Sequence, residues 1–412
     1  MKIVIEQTRL AAEIEELAQI SEAAPPVVTR VVFSPADIRA RTWLRAKCQE
    51  AGLDARTDAV GNTFFRWQGS DPTASAVATG SHIDAIPNAG RFDGVVGVLG
   101  GLEAIRALKS GGFRPKRSIE LLLFTSEEPT RFGVGCLGSR LLSGAMTTEA
   151  AANLRDSDGI SLDEARRGTG FAGNLSDVKM STGHYHGFVE LHIEQGPILE
   201  KERIPIGLVE RIAAPASARI TIEGAGGHAG GVLMPDRRDA LCAASELILA
   251  VERAARSTGA IDTVATVGIC DVFPGAVNSI PSRVKLSLDV RDTDLARRDG
   301  AMGEIARASD TIAAKRGVTI RSESLNADPP ADCAPQVLGA LVQACKNHGC
   351  SYLPMVSRAY HDSLFMTRVA PTAMLFIPCR NGYSHRPDEY AAPEDIARGT
   401  LILAETLARL AT

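Results

Sequence analysis

The chain has 412 residues, a length that suits two domains better than one. Its composition, 45% hydrophobic and 23% charged, is typical of globular proteins, and its net charge of −4 argues against binding to nucleic acid or an anionic membrane. No apolar run is long enough to span a membrane, and the N-terminus lacks the apolar core of a secretory signal. The 8 cysteines are scattered without a CxxC pair, which favours reduced thiols over a disulfide framework or a zinc ribbon. We therefore expect a soluble, cytoplasmic globular protein.

Apolar, strand-like runs alternate with helical patterns over most of the chain. The first forty residues look helical, with a break at Pro25-Pro26, and Val95–Lys109 has helical spacing with small residues for close packing. The stretch Gly144–Gly183 is polar and only locally helical. Buried strands are predicted at Ala76–Ala85, Ser118–Thr125, Gly187–Ile193 and Thr372–Ile377. This alternation predicts an α/β fold with a doubly wound, mostly parallel sheet.

The middle of the chain follows a different order. Strands are predicted at Ser217–Ile222, Thr263–Cys270, Val284–Val290 and Val318–Glu323, and helices at Arg238–Ala255 and Asp294–Arg316. The resulting order, βαββαβ, is that of a ferredoxin-like α+β module. We therefore expect one domain formed by residues 1–212 and 329–412, with a second domain inserted at 213–328.

Histidines and carboxylates follow four of the strands in the first domain, or open the helix after one of them. They are His82, Asp93, Glu127, Glu128, His192 and His385. In open α/β sheets, ligands bind in the crevice outside the carboxyl ends of the strands. We therefore expect these side chains to meet at one edge of the sheet.

This set of residue types suits a divalent metal site. Imidazole and carboxylate without cysteine can bind Zn²⁺, Mn²⁺ or a similar ion, and one bridging carboxylate would allow two ions, as in hydrolases. Of two adjacent glutamates, one can bind metal while the other acts as a general base. Each feature alone has an ordinary explanation, because a histidine after a strand is more often a hydrogen-bonded surface residue and a Glu-Glu pair is usually a solvated loop. The glycines of GVVGVLGG do not spell GxGxxG, which argues against dinucleotide binding. The conjunction of four strand ends at one edge favours the metal site.

Several segments resemble the dimetal amidohydrolases of the M20 peptidase superfamily, with its zinc-peptidase-like catalytic domain. HIEQGP and FTSEEPTRFG are similar to the carbamoylase branch, which contains N-carbamoyl-L-amino acid hydrolases, allantoate amidohydrolases and ureidoglycolate amidohydrolases. Three further segments look closest to the ureidoglycolate enzymes: GGHAGGVLMPDRRDA, SRAYHDSLFM and FIPCRNGYSHRPDEY. The resemblance covers nearly the whole chain, in order.

The resemblance implies a role for each candidate residue. One metal would be held by His82, Asp93 and His192, and the other by Asp93, Glu128 and His385, with Asp93 bridging. Glu127 would be the general base, and Asp84 would orient the His82 imidazole. The family points to Mn²⁺, although Zn²⁺, Co²⁺ and Ni²⁺ suit the same ligands.

The resemblance also makes the inserted domain a lid and dimerisation domain. His228 of one subunit would then stabilise the oxyanion in the partner's site. The residues implied in substrate binding are Gln195, Asn278, Arg291, Tyr360 and His361. From the sequence alone, a surface ion pair of Arg291 with Asp289 or Asp292 is the favoured alternative.

We expect a homodimeric amidohydrolase that converts a small ureido acid, (S)-ureidoglycolate, to glyoxylate, ammonia and CO₂ in purine catabolism. Tyr360 is the residue-level reason for this substrate, because amino-acid carbamoylases usually carry glycine before the histidine. An N-carbamoyl-L-amino acid hydrolase or an allantoate amidohydrolase is the alternative, since both share the metal ligands. A non-catalytic binding protein is disfavoured because no ligand or base is missing, and HIEQGP disfavours a peptidase.

Overall fold

The computed structural model describes residues 2–412. Contacts within the chain divide it into two units. The first contains residues 2–210, 332–355 and 361–412; the second contains Arg211–Ala331 and Val356–Tyr360. The sequence-based division, with its insertion at 213–328, did not assign the short segment that ends at Tyr360 to the second unit.

The elements follow one another in an α/β order. The strands are β1 Val28–Arg30, β2 Asp54–Thr57, β3 Thr63–Trp67, β4 Val77–Ser81, β5 Ala85–Ala89, β6 Ile119–Leu123, β7 Gly187–Ile193, β8 Ile206–Ile212, β9 Ala214–Glu223, β10 Gly227–His228, β11 Val264–Phe273, β12 Ser279–Ile280, β13 Arg283–Asp292, β14 Thr319–Ala327, β15 Ala331–Asp332, β16 Tyr352–Ser357 and β17 Thr372–Ile377. The α-helices are α1 Gln7–Ala18, α2 Pro35–Glu50, α3 Val95–Ser110, α4 Leu137–Ser143, α5 Thr148–Ala152, α6 Leu162–Gly168, α7 Ile198–Glu202, α8 Ala240–Ser257, α9 Leu295–Arg316, α10 Pro335–Asn347, α11 Asp362–Met366 and α12 Pro393–Leu410.

A nine-stranded sheet has the order β15-β8-β17-β7-β4-β6-β3-β2, and β16 also pairs with β8. The four strands β17, β7, β4 and β6 are mutually parallel, whereas β8 and β3 pair antiparallel with the outer members of this group. The α/β class with a mostly parallel central sheet is therefore confirmed. Because the parallel strands all end at the same edge, residues that follow them are brought together there.

Helices cover both faces of this sheet. On β6, Leu121 faces Gly101 of α3, where an added Cβ would lie 2.8 Å from the leucine. The next residue, Leu122, packs in a cluster with Leu137 of α4 and Met366 of α11. Successive side chains of a strand point to opposite faces, so α3 and the pair α4–α11 lie on opposite sides. The sheet is doubly wound, as predicted.

The second unit contains an antiparallel sheet of order β11-β13-β9-β14. With helices α8 and α9, its main elements follow the predicted βαββαβ order. Leu247 of α8, Leu286 of β13 and Ile305 of α9 share one apolar cluster. One face of the sheet is therefore covered by helices, as in ferredoxin-like modules.

The N-terminal region differs from the prediction. The first forty residues contain strand β1 between α1 and α2, and β1 pairs with β5. Such a short strand depends on a partner far along the chain, which local pattern does not reveal. Among residues 2–412, none of the helices is both long enough and apolar enough to cross a lipid bilayer.

Candidate active site

The carboxyl edge of the central sheet carries the predicted ligands. His82 directly follows β4, Glu127 and Glu128 come shortly after β6, and His192 lies at the end of β7. Asp93 lies just before α3, and His385 lies in the loop between β17 and α12. The structure thus brings together at one place all six side chains that the sequence suggested.

Two groups of possible ligand atoms share Asp93. Its Oδ1 lies 3.6 Å from Nε2 of His82 and 3.3 Å from Nε2 of His192. Its Oδ2 lies 3.5 Å from Nε2 of His385, which is also 3.3 Å from Oε1 of Glu128. Within each group the ligand atoms lie within 4.8 Å of one another, close enough for a single ion. One carboxylate oxygen faces each group, which is the arrangement that a bridging ligand requires.

The hydrogen bonds of the buried imidazoles suit metal binding. Nδ1 of His82 lies 3.0 Å from the carbonyl oxygen of Asp84, and Nδ1 of His192 lies 3.0 Å from that of Ile193. Because a carbonyl only accepts, each Nδ1 carries a hydrogen, and Nε2 is the ring nitrogen that faces the cluster and can bind a metal ion. The Gly94 N–H donates to Nε2 of His192 at 3.1 Å, which agrees with this tautomer. The two ligand nitrogens therefore suit a divalent cation.

Gly94 is required where the chain passes His82. Its φ is +66°, and an added Cβ would lie 2.4 Å from Nε2 of His82. Any other residue would strain the backbone and collide with the proposed ligand.

Charge within the cluster shifts the pKa of several groups. Burial alone would lower the pKa of His82, but the carboxylates around it, Glu127 foremost, raise it well above its ordinary value. Burial would raise the pKa of Asp93, yet His192 and His82 hold it well below its usual range. A hydrogen bond with Glu128 raises the pKa of His385 to about 9. Such paired shifts are characteristic of functional sites.

Asp84 contacts both the Glu-Glu turn and His82. Its carboxylate accepts the main-chain N–H groups of Glu127 at 3.3 Å and Glu128 at 3.1 Å, and lies 3.8 Å from Nδ1 of His82. The main-chain carbonyl of Asp84 is the nearer partner of that imidazole, because the turn after β4 directs it there. The carboxylate therefore holds the Glu-Glu turn in place, and its role in orienting His82 stays a prediction.

Glu127 has the surroundings of a general base. Its carboxylate is not part of either ligand group, and Oε2 lies 3.7 Å from Nε2 of His82. Burial raises the pKa of Glu127 well above its ordinary value, with His82 opposing the shift. The Cys136 thiol donates to Oε1 across 3.4 Å, and burial raises the pKa of that thiol well above normal, so it stays protonated. No feature of the sequence pointed to this contact.

Gln195 and His361 lie beside the cluster. The Gln195 side-chain amide donates to Oδ2 of Asp93 at 2.6 Å, while its Oε1 is buried without a hydrogen-bond partner. His361 is buried, and its ring centroid lies 4.5 Å from that of His192. These two histidines and Glu190 form a third group of possible ligand atoms. Gln195 thus has one free acceptor near the proposed metals.

A protein-family model described as peptidase family M20/M25/M40 matches residues 78–409. The chain belongs to this family. It is 51% identical over 413 residues to a ureidoglycolate hydrolase from Oryza sativa subsp. japonica, covering 98% of this chain and 85% of the relative. An N-carbamoyl-L-amino acid amidohydrolase from Geobacillus stearothermophilus is 38% identical over 409 residues, with 99% of each chain covered. Crystal structures of AtUAH in complex with glyoxylate and with (S)-hydroxyglycine superpose with a TM-score of 0.93 at 50% identity, covering 99% of this chain and 98% of theirs.

The remaining predicted residues of this M20/M25/M40 family member belong to the second unit. His228 lies on β10 and pairs with Ser279, while the Ala229 N–H donates to the Asn278 carbonyl at 2.8 Å. His228 and Asn278 therefore lie together on one short ribbon. The Gly230 N–H donates to Nδ1 of His228 at 3.1 Å, which leaves the hydrogen of this exposed imidazole on Nε2.

Arg291 forms a surface ion pair, which was the alternative prediction for this residue. Its Nε lies 2.7 Å from Oδ1 of Asp289, whereas Asp292 pairs with Arg297. The guanidinium also lies 5.8 Å from the centroid of the Tyr360 ring. Arg291 and Tyr360 thus form a contact within the second unit, and their part in substrate binding stays a prediction.

Proposed function

We propose that this protein is a dimetal amidohydrolase that cleaves the carbamoyl C–N bond of (S)-ureidoglycolate and so leads to glyoxylate, ammonia and CO₂. The observation that carries the proposal is the pair of ligand groups that share Asp93. The carboxylate of Glu127 belongs to neither group and lies beside them. The ureidoglycolate hydrolase relative, at 51% identity, supports the choice of substrate. The AtUAH complexes with glyoxylate and (S)-hydroxyglycine point to the same chemistry.

The metal assignment is part of this proposal. His82 and His192 would hold one ion and Glu128 and His385 the other, with Asp93 between them. Mn²⁺ is the proposed ion, and hard carboxylates together with imidazole suit it. Bound there, the ions would supply the Lewis acidity that polarises a ureido carbonyl and makes water a better nucleophile.

Glu127 would move the proton. Its carboxylate takes a proton from the attacking water and returns it to the leaving nitrogen as the C–N bond breaks. Burial and the Cys136 hydrogen bond hold this side chain in one orientation. A raised pKa suits a group that must first accept and then release a proton near neutral pH.

The contacts with the substrate are also part of the proposal. The buried, unpartnered Oε1 of Gln195 can accept a hydrogen bond from the ureido NH₂. Arg291 offers a planar guanidinium to the substrate carboxylate, in competition with Asp289. Tyr360, Asn278 and His361 complete the proposed set.

A homodimer formed through the second unit is also proposed. Strand β11 is at the edge of its sheet, and Ile269 and Phe273 on it are each 54% exposed. An open edge with apolar side chains favours pairing with another strand, here β11 of a second copy. His228 of one copy, with its hydrogen on Nε2, would then donate to the oxyanion in the other copy's site.

The substrate is tested by measuring ammonia release from purified, Mn²⁺-loaded protein. (S)-Ureidoglycolate, allantoate and a panel of N-carbamoyl-L-amino acids would be supplied under identical conditions. We expect the highest kcat/KM with ureidoglycolate. A higher value with a carbamoyl amino acid or allantoate would refute the substrate while leaving the dimetal chemistry intact.

The shared site is tested by mixing two inactive variants. His228→Ala and Glu127→Gln proteins should regain activity after subunit exchange, because one kind of site in the mixed dimer is intact. Ile269→Arg should weaken dimerisation, whereas Leu325→Arg, on the opposite edge strand β14 and 45% exposed, serves as the matched control. If activity does not recover after subunit exchange, the shared site is excluded.

The predicted cytoplasmic location would be tested by fractionation of the source cells.

A further inference from the structure

Glu389 is a buried carboxylate behind the cluster, and the proposed mechanism does not use it. It lies four residues after His385 and is 4% exposed. Its Oε1 accepts the main-chain N–H of Phe92 at 2.7 Å and that of Asp93 at 3.1 Å. One carboxylate oxygen thus fixes the backbone of the proposed bridging ligand.

Ser384 connects the other oxygen of Glu389 with the Asp93 side chain. Its hydroxyl donates to Oδ2 of Asp93 and lies 3.0 Å from Oε2 of Glu389. The two segments approach closely, because a Cβ added at Gly90 would lie 2.4 Å from Cβ of Glu389. Main chain and side chain of Asp93 are therefore both held by the loop that carries His385.

The carboxylate of Glu389 is held by hydrogen bonds rather than by a lysine or arginine of the described chain. Among residues 2–412, no lysine or arginine forms an ion pair with it, and its hydrogen bonds come from two peptide groups and one hydroxyl. Burying a carboxylate next to another carboxylate costs free energy. A divalent cation bound to Asp93 would offset that cost.

We propose that Glu389 and Ser384 are positioning residues that hold Asp93 in its bridging orientation and strengthen the binding of divalent cations. The inference rests on the proposed function, since it takes Asp93 as a metal ligand. Hydrogen-bonded carboxylates behind metal ligands commonly act in this way, and their loss lowers metal affinity about 10–100-fold.

The test compares Glu389→Gln with Asp388→Asn. Glutamine keeps an acceptor for the two N–H groups but removes the charge. Asp388 is the adjacent carboxylate, is exposed, and pairs with Arg386 at 2.6 Å, so its variant is the matched control. The Mn²⁺ Kd is measured by competition with a fluorescent chelator, and the unfolding midpoint is measured on chelator-treated protein.

We expect the Mn²⁺ Kd of Glu389→Gln to rise about 10–100-fold, while its metal-free unfolding midpoint stays the same or rises. The midpoint does not fall because repulsion between two carboxylates has been removed. A residue with only a structural role would lower the midpoint and leave the Kd unchanged, and that result would overturn the proposal. Asp388→Asn should leave both quantities unchanged.

Two further variants keep the inference separate from the proposed function. Ser384→Ala removes only a hydroxyl and should also raise the Kd, so the test does not depend on the folding of one variant. Asp93→Asn should abolish tight Mn²⁺ binding. If Asp93→Asn binds Mn²⁺ like the parent protein, the proposed metal site itself fails. If Asp93→Asn loses binding while Glu389→Gln and Ser384→Ala retain the parent Kd, only the positioning role fails.

Discussion

Replacing Glu127 by glutamine should remove the chemical step and leave the metal site intact. The side chain belongs to neither ligand group, and glutamine has nearly the same volume, so the Cys136 thiol can still donate to its Oε1. General base catalysis contributes about 10²–10⁴-fold, which corresponds to about 2.7–5.5 kcal/mol of activation free energy. We therefore expect kcat to fall by that factor, with the free energy of unfolding changed by less than about 1 kcal/mol.

The assay is ammonia release under saturating substrate, combined with metal analysis of the same preparation. Glu128→Gln is the internal control, because its Oε1 lies 3.3 Å from Nε2 of His385 in one ligand group. This variant should lose one of the two ions. Turnover within tenfold of the parent protein in Glu127→Gln would refute the base assignment. Loss of an ion from Glu127→Gln but not from Glu128→Gln would show that the two roles are reversed.

Three other predictions concern metal binding and thiol exposure. Gly94→Ala should raise the Mn²⁺ Kd at least about 10-fold, because its Cβ would displace the His82 ligand. Gly112→Ala is the control, since Gly112 has a similar φ of +77° and an added Cβ would meet nothing within 4 Å. This control should cost only about 1 kcal/mol of stability and leave the Kd unchanged. Mn²⁺ at 100 times its Kd should raise the free energy of unfolding by about 2.7 kcal/mol, and an unchanged thermal midpoint would contradict tight binding to the folded state. Cys242 and Cys270 are exposed and should react rapidly with a thiol reagent in the isolated chain, while protection of Cys270 alone would support the proposed β11 interface.

Sequence pattern predicted the central strands well because burial on both faces leaves a continuous apolar run. Gly187–Ile193 and Thr372–Ile377 have the predicted bounds in the structure. The short strands β1 and β5 were missed, since each is stabilised mainly by the other and neither has a strong local pattern. Local periodicity therefore identifies strands that are buried by the sheet itself, and misses those that depend on one partner.

The meeting of the candidate ligands at one edge of the sheet was predictable because strand ends and residue types indicated it. The contacts around them were not. The family resemblance implied that the Asp84 carboxylate would orient His82, and the structure adds the main-chain carbonyl of Asp84 as a nearer partner of that imidazole. Cys136 and Glu389 act across gaps in sequence that only the fold closes. Glu389 lies within a motif already singled out, FIPCRNGYSHRPDEY, so its polar character in that loop was the one available signal.

The position of β17 has a consequence for synthesis of the protein on the ribosome. This strand comes from residues 372–377, yet it pairs with both β7 and β8, which are made far earlier. Until the last part of the chain emerges, β7 and β8 have no strand between them, and β7 keeps an unpaired edge. The second unit is nearly continuous in sequence and has no such delay. Chains that terminate before Thr372 should therefore contain a folded second unit beside an incomplete, aggregation-prone sheet.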